Sequence, residues 1–192
     1  SSSRWHAFGL WRRDDRELVY AAPGSTRDLR VLFRKDADGL GEPKTILGPA
    51  NLTSPFDWSQ DGRHLIYGIW RGTGPPGMDL WILPMEDAAQ PFSFLQSDYN
   101  ARFASFSPDG RFVAFSWNPS GQEEVYVRPF DRSKNRQWMV SINGGTQPRW
   151  SQNGRQIYFL GAGKHLMSAA VKIQGDEFTA GTPVPIMPLP RL

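Results

Sequence analysis

The sequence predicts an all-β fold made of four repeats of a four-stranded antiparallel sheet. Three observations predict it. A ten-residue phrase occurs four times, as WRRDDRELVY from Trp11, WSQDGRHLIY from Trp58, FSPDGRFVAF from Phe106 and WSQNGRQIYF from Trp150. Nineteen Gly and sixteen Pro punctuate the whole chain rather than one tail, as in a protein of many short strands and turns. No segment free of Gly and Pro shows a helical period.

The copies start 47, 48 and 44 residues apart, within the ~40–50-residue period of propeller blades. Each column of the repeat has a physical task. An aromatic opens every copy: Trp11, Trp58, Phe106 and Trp150. Asp14, Asp61, Asp109 and Asn153 follow three residues later, then Asp15, Gly62, Gly110 and Gly154, then Arg16, Arg63, Arg111 and Arg155. Ser107-Pro108-Asp109-Gly110 suits a type I turn between two strands. After the turn the residues alternate with period two. Leu18, Leu65, Val113 and Ile157 share a face with Tyr20, Tyr67, Phe115 and Phe159, while Val19, Ile66, Ala114 and Tyr158 face the other way. A strand apolar on both faces must be covered on both, and stacked blades cover one another.

Third strands follow as DLRVLF from Asp28, DLWILP from Asp79, EVYVRP from Glu124 and HLMSAAV from His165. Fourth strands follow near Lys44, Phe92, Gln137 and Val184. First strands precede each turn, the earliest near Trp5. The whole reads as one domain, a β-propeller of four four-stranded blades over about 5–50, 51–98, 99–143 and 144–192. Its ring closure stays open between a four-bladed ring, a half that pairs with another half, and part of a larger propeller.

Composition narrows the function. Hydrophobic residues make up 39% of the chain, enough for a core. Twenty-two basic and 19 acidic residues give a net charge of +3, with the signs interspersed. There is no Cys, so disulfide, thiolate-metal and cysteine-nucleophile chemistry are excluded. No apolar run approaches the ~20 residues of a membrane helix, so no membrane insertion is expected. Ser1-Ser2-Ser3 reads as a cut point.

The phrases SFSPDGRFVAF, EVYVRPF and GGTQPRWSQNGRQIYFL resemble the TolB-like β-propeller repeats of bacteria. The run from PFDWSQDGRHLIY to GTPVPIMPL is similar to the C-terminal propeller of certain bacterial serine/threonine kinases and winged-helix regulators. The resemblance implies a propeller of six to eight blades, an extracytoplasmic, periplasmic setting, and binding or scaffolding without catalytic residues. This chain departs from it in having four repeats and in placing Asp15 where the turn has Gly.

Other motifs give no chemistry. Gly72-Thr73-Gly74-Pro75-Pro76-Gly77 leads into a strand rather than a helix, so it reads as a hairpin loop, not a phosphate cradle. Gly161-Ala162-Gly163-Lys164 reads as another hairpin. Asp36-Ala37-Asp38-Gly39 hints at calcium, but Leu40 and Leu47 stand where ligands belong, and it reads as a turn. His6, His64 and His165 stand singly, without metal spacing. Arg12-Arg13 with Trp5, Phe8 and Trp11 suggests a nucleic-acid patch, but Asp14-Asp15 follow at once and Trp11 belongs to the core column. Neither cofactor, metal nor nucleic acid is expected.

The expected function is a non-catalytic binding or scaffold module of a bacterial sensor or envelope protein. The alternatives are a self-associating structural unit, with a homodimer through open blade faces, and the substrate-gating propeller of a hydrolase. The expected partner is a protein, a small ligand or a longer chain of its own. The residues expected to bind lie on loops that join the second strand to the third, and the fourth to the next first. They are Trp70, Arg71, Tyr99 and Asn100, with Arg102, Trp117, Gln147 and Arg149. Trp and Arg anchor partners most readily.

Overall fold

A computed structural model describes residues 9–25, 29–72, 77–86 and 89–190. Trp5, Phe8 and Asp28, read above into strands or a patch, and the single His6 lie outside them, as do Thr73–Pro76. The first sheet comprises β1 (Gly9–Trp11), β2 (Glu17–Pro23), β3 (Leu29–Asp36) and β4 (Lys44–Asn51). The second comprises β5 (Thr53–Trp58), β6 (His64–Trp70), β7 (Met78–Pro84) and β8 (Phe92–Leu95). The third comprises β9 (Ala101–Phe106), β10 (Phe112–Trp117), β11 (Glu124–Pro129) and β12 (Trp138–Met139). The fourth comprises β13 (Gly145–Trp150), β14 (Gln156–Gly161), β15 (His165–Gln174), β16 (Glu177–Ala180) and β17 (Val184–Pro188). All pairs are antiparallel, each sheet runs in chain order, and β17 pairs with β15 as the fourth blade strand. These are the four blades of an all-β propeller.

The repeated turn explains why its columns are what they are. In blades two to four a Ser hydroxyl donates to the Asp or Asn: Ser59 to Asp61 at 2.6 Å, Ser107 to Asp109 at 2.6 Å and Ser151 to Asn153 at 2.8 Å. The same acceptor takes the backbone N–H of the repeated Arg: Arg63 at 3.0 Å, Arg111 at 3.1 Å and Arg155 at 3.0 Å. The Ser oxygen then accepts the N–H that opens the second strand, at 2.9–3.0 Å. Gly62, Gly110 and Gly154 sit at φ of 69°, 70° and 68°, the left-handed region that favours Gly. Asp15 holds the same conformation at 58°, so the first turn keeps its shape at some strain.

The strand alternation builds three interfaces. Trp58, Leu65 and Tyr67 of blade two pack on Val19, Ala21 and Leu32 of blade one. Phe106, Val113 and Phe115 of blade three pack on Ile66, Leu80 and Ile82 of blade two. Ile157, Phe159 and Trp150 of blade four pack on Ala114, Val125 and Val127 of blade three. The aromatic column therefore always faces the preceding blade and the intervening column faces the following one. Among the described residues no strand of blade four packs along a strand of blade one.

Two expectations need correction. Trp11 belongs to the aromatic column, but it is 54% exposed where Trp58 is 1% exposed, because no described blade lies before it. The last blade also carries an unforeseen hairpin. β15 runs ten residues, past the blade, and pairs with β16 around Gly175. That hairpin delivers Phe178, 1% exposed, beneath Trp138 and Phe112.

Candidate functional site

The first strands β1, β5, β9 and β13 pack on one another in sequence, which sets them around a common axis. Three of them carry a bulge just before the aromatic column. In β9, Phe103 and Ala104 oppose Phe115 alone, and in β13, Gln147 and Pro148 oppose Phe159 alone. Phe103 and Gln147 are equivalent in the repeat, and both are left-handed, with φ of 55° and 56°. That conformation costs a non-glycine residue about 1–2 kcal/mol. In β5 the equivalent residue is Pro55, whose ring bars positive φ. There the extra residue is Phe56.

A bulge redirects side chains, and here they meet. A cavity of about 420 Å³ opens on the axis, lined from all four blades. Gly9 and Leu10 come from blade one, Phe56, Trp70 and Met78 from blade two, Asn100, Arg102 and Phe103 from blade three, and Gln147 and Arg149 from blade four. The Phe56 and Phe103 rings lie 6.0 Å apart. Five of the eight expected binding residues, Trp70, Asn100, Arg102, Gln147 and Arg149, thus share one cavity.

The electrostatics separate its two arginines. Arg102 is held by both oxygens of Glu123, at 2.7 and 2.9 Å, and its guanidinium lies 4.9 Å from the Phe103 ring centroid. Arg149 is exposed and donates to the Pro148 carbonyl at 2.8 Å. Asp57 stands close by. Its Oδ2 accepts the Phe106 N–H at 2.8 Å and the Ser105 hydroxyl at 3.2 Å, with Arg13 at 3.7 Å. Burial pushes the Asp57 carboxyl above the ordinary range, against the pull of the Phe106 N–H, Arg13 and Arg149.

The other three expected residues build the wall beside the cavity. The Arg71 guanidinium pairs with Asp79 and donates to the carbonyls of Ser97, at 2.6 Å, and Tyr99, at 3.1 Å. Trp117 donates its indole N–H to Ser97 Oγ at 3.0 Å and meets Tyr99 edge-on at 6.0 Å. Asn100 joins wall and cavity: its Oδ1 accepts the Met78 N–H at 2.9 Å and its own N–H reaches Asn118 at 2.7 Å. Phe56, Phe103 and Asp57 were missed from sequence. The signals available were the shared offset of Phe103 and Gln147 before the aromatic column, and a lone acid beside Trp58.

At the opposite, turn end a cavity of about 830 Å³ lies between blades three and four. Its acid, Asp109, is already bonded to Ser107 and Arg111, which leaves it little capacity for a ligand. His64 packs edge-on to Phe130 at 5.0 Å, and burial lowers its pKa from the ordinary value. Asp38 accepts the Leu40 N–H at 2.8 Å within its turn. Among the described residues no group of three His, Cys, Asp or Glu is placed to hold a metal, and no helix is long and apolar enough to cross a membrane.

No protein-family model and no curated protein matches the chain. Solved structures do. A putative TolB from Agrobacterium tumefaciens is 15% identical and superposes with a TM-score of 0.70 over 88% of this chain and 62% of its own. TolB from Acinetobacter baumannii is 16% identical, with a TM-score of 0.66 over 91% of this chain and 43% of its own. An oligogalacturonate lyase in complex with manganese is 16% identical, with a TM-score of 0.62 over 93% and 53%. The chain thus spans less than two thirds of each, and at these identities the likeness is one of fold. The chain has the TolB-like β-propeller fold.

Proposed function

We propose that this chain is a non-catalytic binding module whose ligand or partner enters the axial cavity. The single observation that supports this is convergence: four blades each send residues to one cavity, and two of them accept left-handed strain to do so. The groups that meet there are guanidinium, amide and aromatic, which hold a ligand by hydrogen bonds and contact. The resemblance of its repeats to bacterial TolB-like propellers supports a place in a bacterial sensor or envelope protein, outside the cytoplasm. A fragment screen read by amide chemical shifts tests the site. Hits should cluster on Phe56, Trp70, Phe103 and Gln147, and hits confined to the turn end would overturn it. Generic ester and peptide substrates should stay intact.

A second reading, self-association, is favoured by Trp11. Its column is buried in blades two and three and half-buried in blade four, and the last strand β17 is exposed along its length. A second copy seated on these faces would cover both. Light scattering across a dilution series would show a dimer that dissociates, whereas a monomer at every concentration would exclude it.

A further inference from the structure

We infer that the axial cavity takes a small carboxylate carrying an aromatic or branched apolar body, an inference that rests on the cavity being the binding site proposed above. The cavity lining contains two arginines and no Asp or Glu. Glu123 occupies Arg102 through both oxygens, so that cation is already neutralised. Arg149 differs. Among the described residues its guanidinium makes one hydrogen bond, to the Pro148 carbonyl, which leaves donors of its fork for the cavity. Asp57, the nearby acid, is turned to Trp58, Ser105 and Phe106. The Trp70 indole N–H and the Gln147 side-chain amide have no partner among the described residues, and add neutral donors.

One accessible planar guanidinium with two neutral donors matches a carboxylate, which such a fork binds through both oxygens. A phosphate would call for more converging N–H groups. The same cavity has an apolar lining of Leu10, Phe56, Met78 and Phe103. A cavity of about 420 Å³ lies in the ~300–1,000 Å³ range of small-ligand sites. The ligand's carboxylate then lies on Arg149, and its ring or branched chain packs against the joined faces of Phe56 and Phe103.

The test uses N-acetyl-phenylalanine, its neutral amide, and acetate, titrated calorimetrically into the intact chain. The acid should bind with a Kd at or below about 1 mM, and the amide and acetate at least about tenfold more weakly. Arg149→Gln should weaken the acid about tenfold with the fold retained, since its side chain is exposed. Trp70→Ala should weaken it as well, and Arg63→Gln at a distant turn should not. Equal binding of acid and amide would overturn the carboxylate while leaving the cavity as the site. Binding unmoved by both Arg149→Gln and Trp70→Ala would overturn the cavity itself. Saturation by none of the three probes, or binding only when the acid ends a longer peptide, would overturn the small-carboxylate assignment. The fragment map distinguishes these failures from failure of the binding-module reading.

Discussion

The carboxylate of Asp57 accepts the backbone N–H of Phe106 at 2.8 Å, so a side chain of blade two closes a main-chain donor of blade three beside the axis. The bond sits where the aromatic column of blade three enters the core. It ties the two blades together at the point from which Phe56 and Phe103 reach the cavity.

Asp57 should therefore give stability an unusual pH dependence. Its folded pKa is raised, chiefly by burial. Between the ordinary carboxyl value and that raised value the folded chain holds a proton that the unfolded chain has lost. This share of stability is full below the ordinary value and is lost as pH rises through the folded pKa. Asp57→Asn should flatten that limb. Urea midpoints measured across this window would show it, and an unchanged limb would assign the pH dependence elsewhere.

Asp109 has the opposite sign. Burial pushes its carboxyl up, but hydrogen bonds from Ser107 and Arg111 outweigh it and lower the pKa. Its contribution is present above the ordinary carboxyl value and is lost as pH falls through the folded one. Blade four shows that an amide serves the same geometry, since Asn153 accepts from Ser151 and Arg155. Asp109→Asn should then cost under about 1 kcal/mol at neutral pH and remove the acid sensitivity of this turn. Asp109→Ala, which loses the bonds from the Ser107 hydroxyl and from the Arg111 backbone and guanidinium, should cost about 1–2 kcal/mol. Chemical denaturation at two pH values separates the two substitutions.

Strain at the bulges can be relieved. Gln147 is left-handed at φ 56°, and its side chain is exposed in the cavity. Gln147→Gly removes a cost of about 1–2 kcal/mol and adds an entropic one of about 0.5–1 kcal/mol. A net gain of about 0.5–1 kcal/mol is expected, with weaker binding of any cavity ligand. If thermal unfolding shows a loss instead, the side chain supports the fold and the strain has no functional meaning.

These features were unevenly legible in the sequence. The blades could be read because turn chemistry and strand alternation are local and recur: Ser107, Asp109, Gly110 and Arg111 state one turn completely. The β15–β16 hairpin could not, since Gly175-Asp176-Glu177 reads as a polar loop and Phe178 alone hints at burial. The cavity was half legible. Knowing which loops share an end of the blades brought Trp70, Arg102, Gln147 and Arg149 together. It could not show that Arg71, Tyr99 and Trp117 would be occupied with Ser97, Asp79 and one another. Those pairings depend on distances across blades, as does the bond from Asp57 to Phe106.

Position in the array, not residue type, should decide what an aromatic is worth. Trp58 and Trp11 fill the same column, one buried and one 54% exposed. Trp58→Ala leaves a cavity between blades one and two and should cost about 3–5 kcal/mol. Trp11→Ala removes contacts on an open face and should cost under about 1 kcal/mol in dilute solution. Trp150 is intermediate: it is half-buried against Phe178 and donates its indole N–H to the Ser105 carbonyl at 3.1 Å. Its loss should fall between the two. If a second copy covers the Trp11 face, the Trp11→Ala cost should grow with protein concentration, because association stabilises only the folded chain. Denaturation of all three variants at low and high concentration reads both effects. A concentration-independent cost for Trp11→Ala near that of Trp58→Ala would mean that Trp11 is buried within the single chain, and that the open first face does not exist in solution.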